Sequence, residues 1–215
     1  MGFRELRKTH PIEEFDYPLL MTYLADYANR RDKATRLLRS NKITRIKKGL
    51  YVFGPDYRKG LICKESLANL IYGPSYISFE YALSYYGMIP ERVETITSAT
   101  TGRSRIFHTP IGTFSYKHLP QNRYSIGISW NSLDEYHSIF IASPEKALVD
   151  TIYHAKKLDR ATAVEDFLFE DLRIEESSLK NLSLERLSKI AFEYQNNKIN
   201  RVINFISTLK LREPQ

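Results

Sequence analysis

The chain has 215 residues, of which 42% are hydrophobic and 13% aromatic, and a formal net charge of +7. That length allows one large domain or two small ones, with apolar material for a real core. A single cysteine, Cys63, excludes an internal disulfide and argues against a cysteine-ligated zinc site. No apolar run approaches the roughly 20 residues needed to span a bilayer, and the first residues carry no signal-peptide core, so a cytoplasmic protein is expected.

The charge is confined to one end. Residues 1–60 hold 14 Lys+Arg against 7 Asp+Glu, whereas the remainder holds 18 of each. Between Asn29 and Lys48 nine basic residues meet one acid, Asp32. Such confinement points to a polyanion-binding surface. The plainer reading of any charge run is a solvated helix face.

In chain order, Asp16 caps a short helix with Pro18 in its first turn, and Leu19, Leu20, Tyr23 and Leu24 form its stripe. Asn29 caps the next helix, in which Ala34, Leu37 and Leu38 make a buried face. Arg30, Arg31, Lys33, Arg36 and Arg39 occupy the remaining arc. Two strands, Ile43–Ile46 and Leu50–Phe53, flank a Lys47-Lys48-Gly49 turn and predict a hairpin. Helix, turn, helix and basic-tipped hairpin together predict a winged helix-turn-helix over residues 1–60. Asn29, Arg30, Arg31, Lys33, Arg36, Arg39, Arg45, Lys47 and Lys48 are then the candidate DNA-binding residues. Winged helices also dock proteins, and that alternative stands beside DNA binding.

A breaker-rich linker runs from Gly54 to Gly60, and a helix from Lys64 to Tyr72 ends at Gly73-Pro74. A second helix is closed by Gly87 and Pro90. Strands at Val93–Ser98, Arg105–His108 and Thr113–Tyr116, parted by Thr-Gly-Arg and Thr-Pro-Ile-Gly turns, predict an antiparallel meander. Further strands are expected at Tyr124–Trp130 and Tyr136–Ala142. Ser143-Pro144-Glu145 starts a helix that turns Ala147, Leu148, Thr151 and Ile152 inward. From Leu158 on, three helices are expected. The fold class is therefore α+β: the winged helix at 1–60, then a mixed domain at 61–215 whose part from about 158 to 215 is helical.

Four blocks, F-E-Y-A-L-S-Y-Y-G-M-I-P, T-S-A-T-T-G-R-S-R, T-P-I-G-T-F-S-Y and A-S-P-E-K-A-L-V-D, occur between Phe79 and Asp150. With R-I-K-K-G-L-Y-V at the hairpin, they resemble the AbiEi-type antitoxins of bacterial toxin–antitoxin pairs. The resemblance runs from about Phe15 to Asp150. It implies a DNA-binding regulator that represses its own promoter at inverted repeats, acts in phage defence and opposes a nucleotidyltransferase-like toxin, directly or indirectly. Tyr81, Tyr85, Tyr86 and Arg103 are candidate positions of an antitoxin surface, against the reading that these tyrosines are ordinary core.

Enzymatic chemistry finds little purchase, and neither a cofactor nor a metal is expected. The five histidines have no metal-ligand spacing, and neither Glu-x-Lys nor Asp-x-Lys occurs. Phosphate-binding glycine loops are lacking as well. Cys63 has only Lys64 beside it as an activator, and Glu80 and Glu145 are expected to cap helices or pair with Arg103 or Lys146. The alternative from another class is a hydrolase or nuclease that a winged helix positions on nucleic acid.

Overall fold

The structure, a computed structural model, describes residues 2–156, 158 and 160–211. Its first sixty residues build three helices and a small sheet. Helix α1 (Phe3–Thr9) precedes β1 (Glu14–Asp16), α2 (Tyr17–Tyr23), α3 (Arg30–Arg39), β2 (Ile43–Lys47) and β3 (Leu50–Phe53). The caps form as expected: Asp16 Oδ1 accepts from Leu19 N at 2.8 Å, and Asn29 Oδ1 from Asp32 N at 3.1 Å. The β2–β3 turn places Gly49 at φ +90°, a conformation that favours glycine.

β3 is the middle strand of the antiparallel order β1–β3–β2, and all four of its residues are buried. Side chains alternate across a strand. Tyr51 and Phe53 enter a core with Phe3, Leu6, Phe15, Leu20, Leu24 and Leu37. Leu50 and Val52, with Ile46 of β2, enter the much larger core of the rest of the chain. The segment expected as a linker is tied down too. Glu13 Oε1 accepts from Lys59 N and Gly60 N at 2.9 and 3.0 Å, while Glu13 Oε2 pairs with the buried Arg7. The regions before and after residue 60 thus share β3 as a common wall.

Beyond it come α4 (Lys64–Ile71), β4 (Ser75–Ile77), α5 (Phe79–Tyr85), β5 (Ile96–Thr100), β6 (Arg105–Thr109) and β7 (Gly112–His118). A short α6 (Gln121–Tyr124), β8 (Ile128–Ser132), β9 (Ser138–Ala142) and α7 (Pro144–His154) follow. The tail contains α8 (Ala161–Glu165), which continues as a π-helical turn to Asp171, then α9 (Glu176–Asn181), α10 (Leu184–Tyr194) and α11 (Asn197–Leu211). The tail is helical as far as it is described; residues 212–215 lie outside the described residues.

The antiparallel meander expected over β5, β6 and β7 is not what forms. The sheet order is β6–β7–β5–β4–β9–β8, with β5 parallel to β7 and β4 parallel to β9. Only β6 and β7 make a hairpin there. Burial decides the order. Phe114 and Tyr116 of β7 are 1% exposed, whereas Arg105, Ile106 and His108 of β6 face solvent. The apolar strand therefore takes the inner position and the polar one the edge. The loop after Thr100 steps across one strand to allow it.

α7 is buried from Glu145 to Ile152, every residue included. Ser143 caps it, its Oγ accepting from Lys146 N at 3.2 Å. Lys146 and Asp150, one turn apart with side chains 0% exposed, pair at 3.0 Å. Asp150 Oδ2 also accepts from Tyr76 Oη (2.9 Å) and Ser78 Oγ (2.6 Å), and Oδ1 from Tyr194 Oη. Lys146 Nζ donates to Arg123 O at 2.6 Å and to Tyr194 Oη. Burial pulls the lysine below its ordinary pKa, and the Asp150 carboxylate opposes that pull. The expected pairings of Glu80 and Glu145 are replaced: Glu80 meets Lys117 at 3.3 Å, and Glu145 Oε1 accepts from Ser183 N at 3.0 Å.

Removing one member of this pair strands the other charge in the interior. Lys146→Met or Asp150→Leu alone should therefore cost roughly 3–5 kcal/mol, on the order of 10 °C in Tm. The double substitution should cost less than the sum of the two, as read from thermal melts followed by circular dichroism.

Candidate nucleic-acid interface

α3 presents its basic residues outward because two positions hold the helix down. Ala34 and Leu37 are 6% and 4% exposed and bury its inner face. With about 100° per residue, Arg31, Thr35, Arg36 and Arg39 span an arc of roughly 140° away from that face. All four are exposed, as is Arg30 in the first turn. Lys33 is only half exposed and lies over the Tyr27 ring, its Nζ 4.4 Å from the centroid. Asn29, as the cap, holds the helix N-terminus open to solvent.

The hairpin divides its basic residues. Arg45 on β2 and Lys48 at the turn are exposed. Lys47 turns inward: its Nζ donates to Ile71 O, the last residue of α4, at 2.5 Å, and burial lowers its pKa. It caps a helix C-terminus whose carbonyls have no partner within the helix. A bulge between Arg45 and Lys47 allows the switch, since it breaks the strand's alternation. Gly54 closes the base of the hairpin: its N donates to Lys42 O at 2.8 Å, and a Cβ there would sit 1.7 Å from Asn41 O. The hairpin and the end of α3 are thereby packed without room for adjustment.

A polar contact sits in the seam on the other side of β1. Glu14, 2% exposed, has Oε1 3.0 Å from His137 Nε2, and His137 Nδ1 lies 2.7 Å from Asp134 Oδ2. The sequence gives no sign that Glu14 joins the local Asp134–His137 pair, since it lies more than a hundred positions before them.

The four residues expected as an antitoxin surface do not form one cluster. Tyr81 is half-buried, and its hydroxyl donates to Glu65 of α4; burial first, then Glu65, raises its pKa. Tyr85 is 41% exposed and meets the half-buried Tyr86 edge-on at 5.1 Å. Arg103 is exposed in the loop between β5 and β6. Cys63 caps α4, its Sγ accepting from Ser66 N at 3.4 Å, and burial pushes the thiol up to about 11.

No family model matches the chain, and no curated protein matches it. Among solved structures it is similar to the RV2827C protein from Mycobacterium tuberculosis, with a TM-score of 0.60 and 14% identity over 99% of this chain and 80% of that one. At that identity the likeness is one of fold. The mixed α+β fold is thus shared along nearly the whole length. No helix among the described residues is long and apolar enough to cross a membrane.

Two outcomes follow from the geometry. Lys47→Ala should lower the melting temperature, because it frees Ile71 O at the seam, whereas Lys48→Ala should leave it unchanged. Cys63 should react slowly with Ellman's reagent at neutral pH, its rate still climbing between pH 9 and 10, since the thiolate is the reactive form. A rate that levels off near pH 8.5 would mean an unburied thiol.

Proposed function

We infer that this chain is a DNA-binding regulator of the antitoxin kind. Its first sixty residues act as a winged helix-turn-helix, with α3 as the recognition helix and the β2–β3 hairpin as the wing. The observation that carries the reading is the exposed set Arg30, Arg31, Arg36 and Arg39 on α3, joined by Arg45 and Lys48 on the hairpin. The order helix, strand, helix, helix, hairpin is the one that sets a second helix in the major groove and a wing over adjacent phosphates. Guanidinium groups near the start of such a helix match the paired acceptors of guanine, and the others neutralise phosphates.

The resemblance to the AbiEi-type antitoxins extends the reading. The chain would repress its own promoter at an inverted repeat and oppose a nucleotidyltransferase-like toxin. In this division of labour the body beyond β3 carries the antitoxin effect, with Tyr85 and Arg103 as its exposed candidates. Lys47 is set aside from the phosphate contacts, since its ammonium is engaged with Ile71.

The test is binding to the DNA upstream of its own reading frame, followed by fluorescence anisotropy at several salt concentrations. Affinity should fall with a logarithmic slope of about −0.9 per phosphate contacted. Lys48→Ala should weaken binding to all sequences and flatten the slope by about one contact. Arg31→Ala should relax selection at one base position, at a cost of roughly 1–3 kcal/mol for a guanine pair. Binding that survives replacement of Arg31, Arg36 and Arg39 together would overturn the assignment.

A further inference from the structure

The six-stranded sheet ends at β8, and that edge is open. Antiparallel partners alternate between pairs that exchange hydrogen bonds and pairs that do not. Gly127 O accepts from Ser143 N at 2.8 Å, and Leu133 N donates to His137 O at 2.9 Å. Between them the bonded positions are Ser129 and Asn131. Trp130 stands opposite Phe140, whose N and O are both taken by the Asn69 side chain at 2.8 and 3.3 Å. Ile128, Trp130 and Ser132 therefore direct their N–H and C=O groups away from β9, and no described residue takes them up.

Natural edges are guarded by charge, proline or a bulge. At the opposite edge β6 carries Arg105 and His108, whereas β8 reads Ile-Ser-Trp-Asn-Ser, with no charge and no proline. It also exposes the chain's one tryptophan. Trp130 is 74% exposed and lies 6.0 Å from Phe140, itself 51% exposed, with Leu70 50% exposed beside the same cleft of about 680 Å³. Isolated exposed apolar residues are ordinary; a cluster on an unguarded strand marks an interface.

We propose that β8 pairs antiparallel with β8 of a second copy of this chain, about a two-fold axis through Trp130. Three features select that occupant. The first is register: centred on Trp130, the strand sets each outward-facing residue opposite another, Trp130 against itself and Ile128 against Ser132. The ladder then closes with every free group of the three residues matched. The second is the apolar cluster, because opposed residues share a face of the sheet and the two Trp130 rings meet. The third is charge. Arg186 and Lys189, the latter paired with Glu185 at 2.6 Å, line a hollow with Gly127 and Ser129 at one end of β8, while Asp134, held by His137, and the exposed Glu135 follow its other end. Antiparallel pairing sets each basic end against the acidic end of its partner. This is an isologous contact, which closes at two copies and does not propagate. It is independent of whether the chain binds DNA.

Opposed residues of a bonded pair lie about 5.5 Å apart at Cα, which suits a disulfide. In a Cys63→Ala background, Trp130→Cys should therefore oxidise to a covalent dimer on a non-reducing gel. Ser132→Cys should not, since its copies would stand roughly 13 Å apart, four residues at about 3.3 Å each. Sedimentation of the full chain should give a dimer. Trp130→Lys and Ser132→Pro should give monomers with an unchanged circular dichroism spectrum, because both alter the outward side of the strand and no bond to β9. A wild-type chain that sediments as a monomer at high micromolar concentration would overturn the proposal. So would a dimer that survives both substitutions, or equal cross-linking at positions 130 and 132.

Discussion

The pair Lys146–Asp150 is the constraint around which the larger part of the molecule is arranged. Two charges with no exposure have to be met by hydrogen-bonding groups from their surroundings. Those groups come from four directions: Tyr76 on β4, Ser78 just after it, Arg123 O on α6 and Tyr194 on α10. Each donor or acceptor fixes the position of its own element relative to α7. Gly127 completes the arrangement, since at φ +77° a Cβ would meet Lys146 Cβ at 2.9 Å and Ile190 at 3.0 Å. The sheet and the helical tail are thus both located from one side-chain cluster.

The same chemistry recurs at the ends of α4, α7 and α9. Lys198 Nζ donates to Tyr153 O and Ala155 O at the end of α7, Lys210 Nζ to Leu182 O after α9, and Lys47 to Ile71 O at the end of α4. Final carbonyls of helices lack partners within the helix and carry its negative pole. Long cationic side chains from elsewhere in the chain supply both needs at once. Part of the basic content therefore works internally, and a count of Lys and Arg overstates what is open to a polyanion.

The readable parts of the sequence were those with local causes. Asp16, Asn29 and Ser143 announced their helices because a cap is a contact across three residues. Gly49 and Gly87 announced their turns because both have positive φ. Lys146 and Asp150 were opaque for the opposite reason. A charged pair one turn apart has the pattern of a surface helix, and only the distant Tyr76 and Tyr194 make it a core. β1 and β4, three residues each, are too short to show a period, and α1 offers only Phe3 and Leu6. The parallel β5–β7 contact was hidden because strand order depends on competition for burial along the whole sheet. Among the candidate site residues, exposure of the α3 arginines followed from helical period. The inward turn of Lys47 depends on a bulge that no residue type announces.

The two-sided burial of β3 has a consequence for how the protein is made. Residues 1–60 leave the ribosome before the residues that follow them, and Tyr51 and Phe53 then have their own partners in Phe3, Phe15 and Leu20. Ile46, Leu50 and Val52 do not; they belong to the larger core, whose other members all come after residue 60. During synthesis the nascent amino-terminal part shows water an apolar face on a three-stranded sheet, a surface prone to association. It is covered only when α4 has emerged, and the sheet that α4 packs on is complete only after β9. The basic amino-terminal part is therefore matured by chain made after it, and its folding is one event with that of the body it rests on.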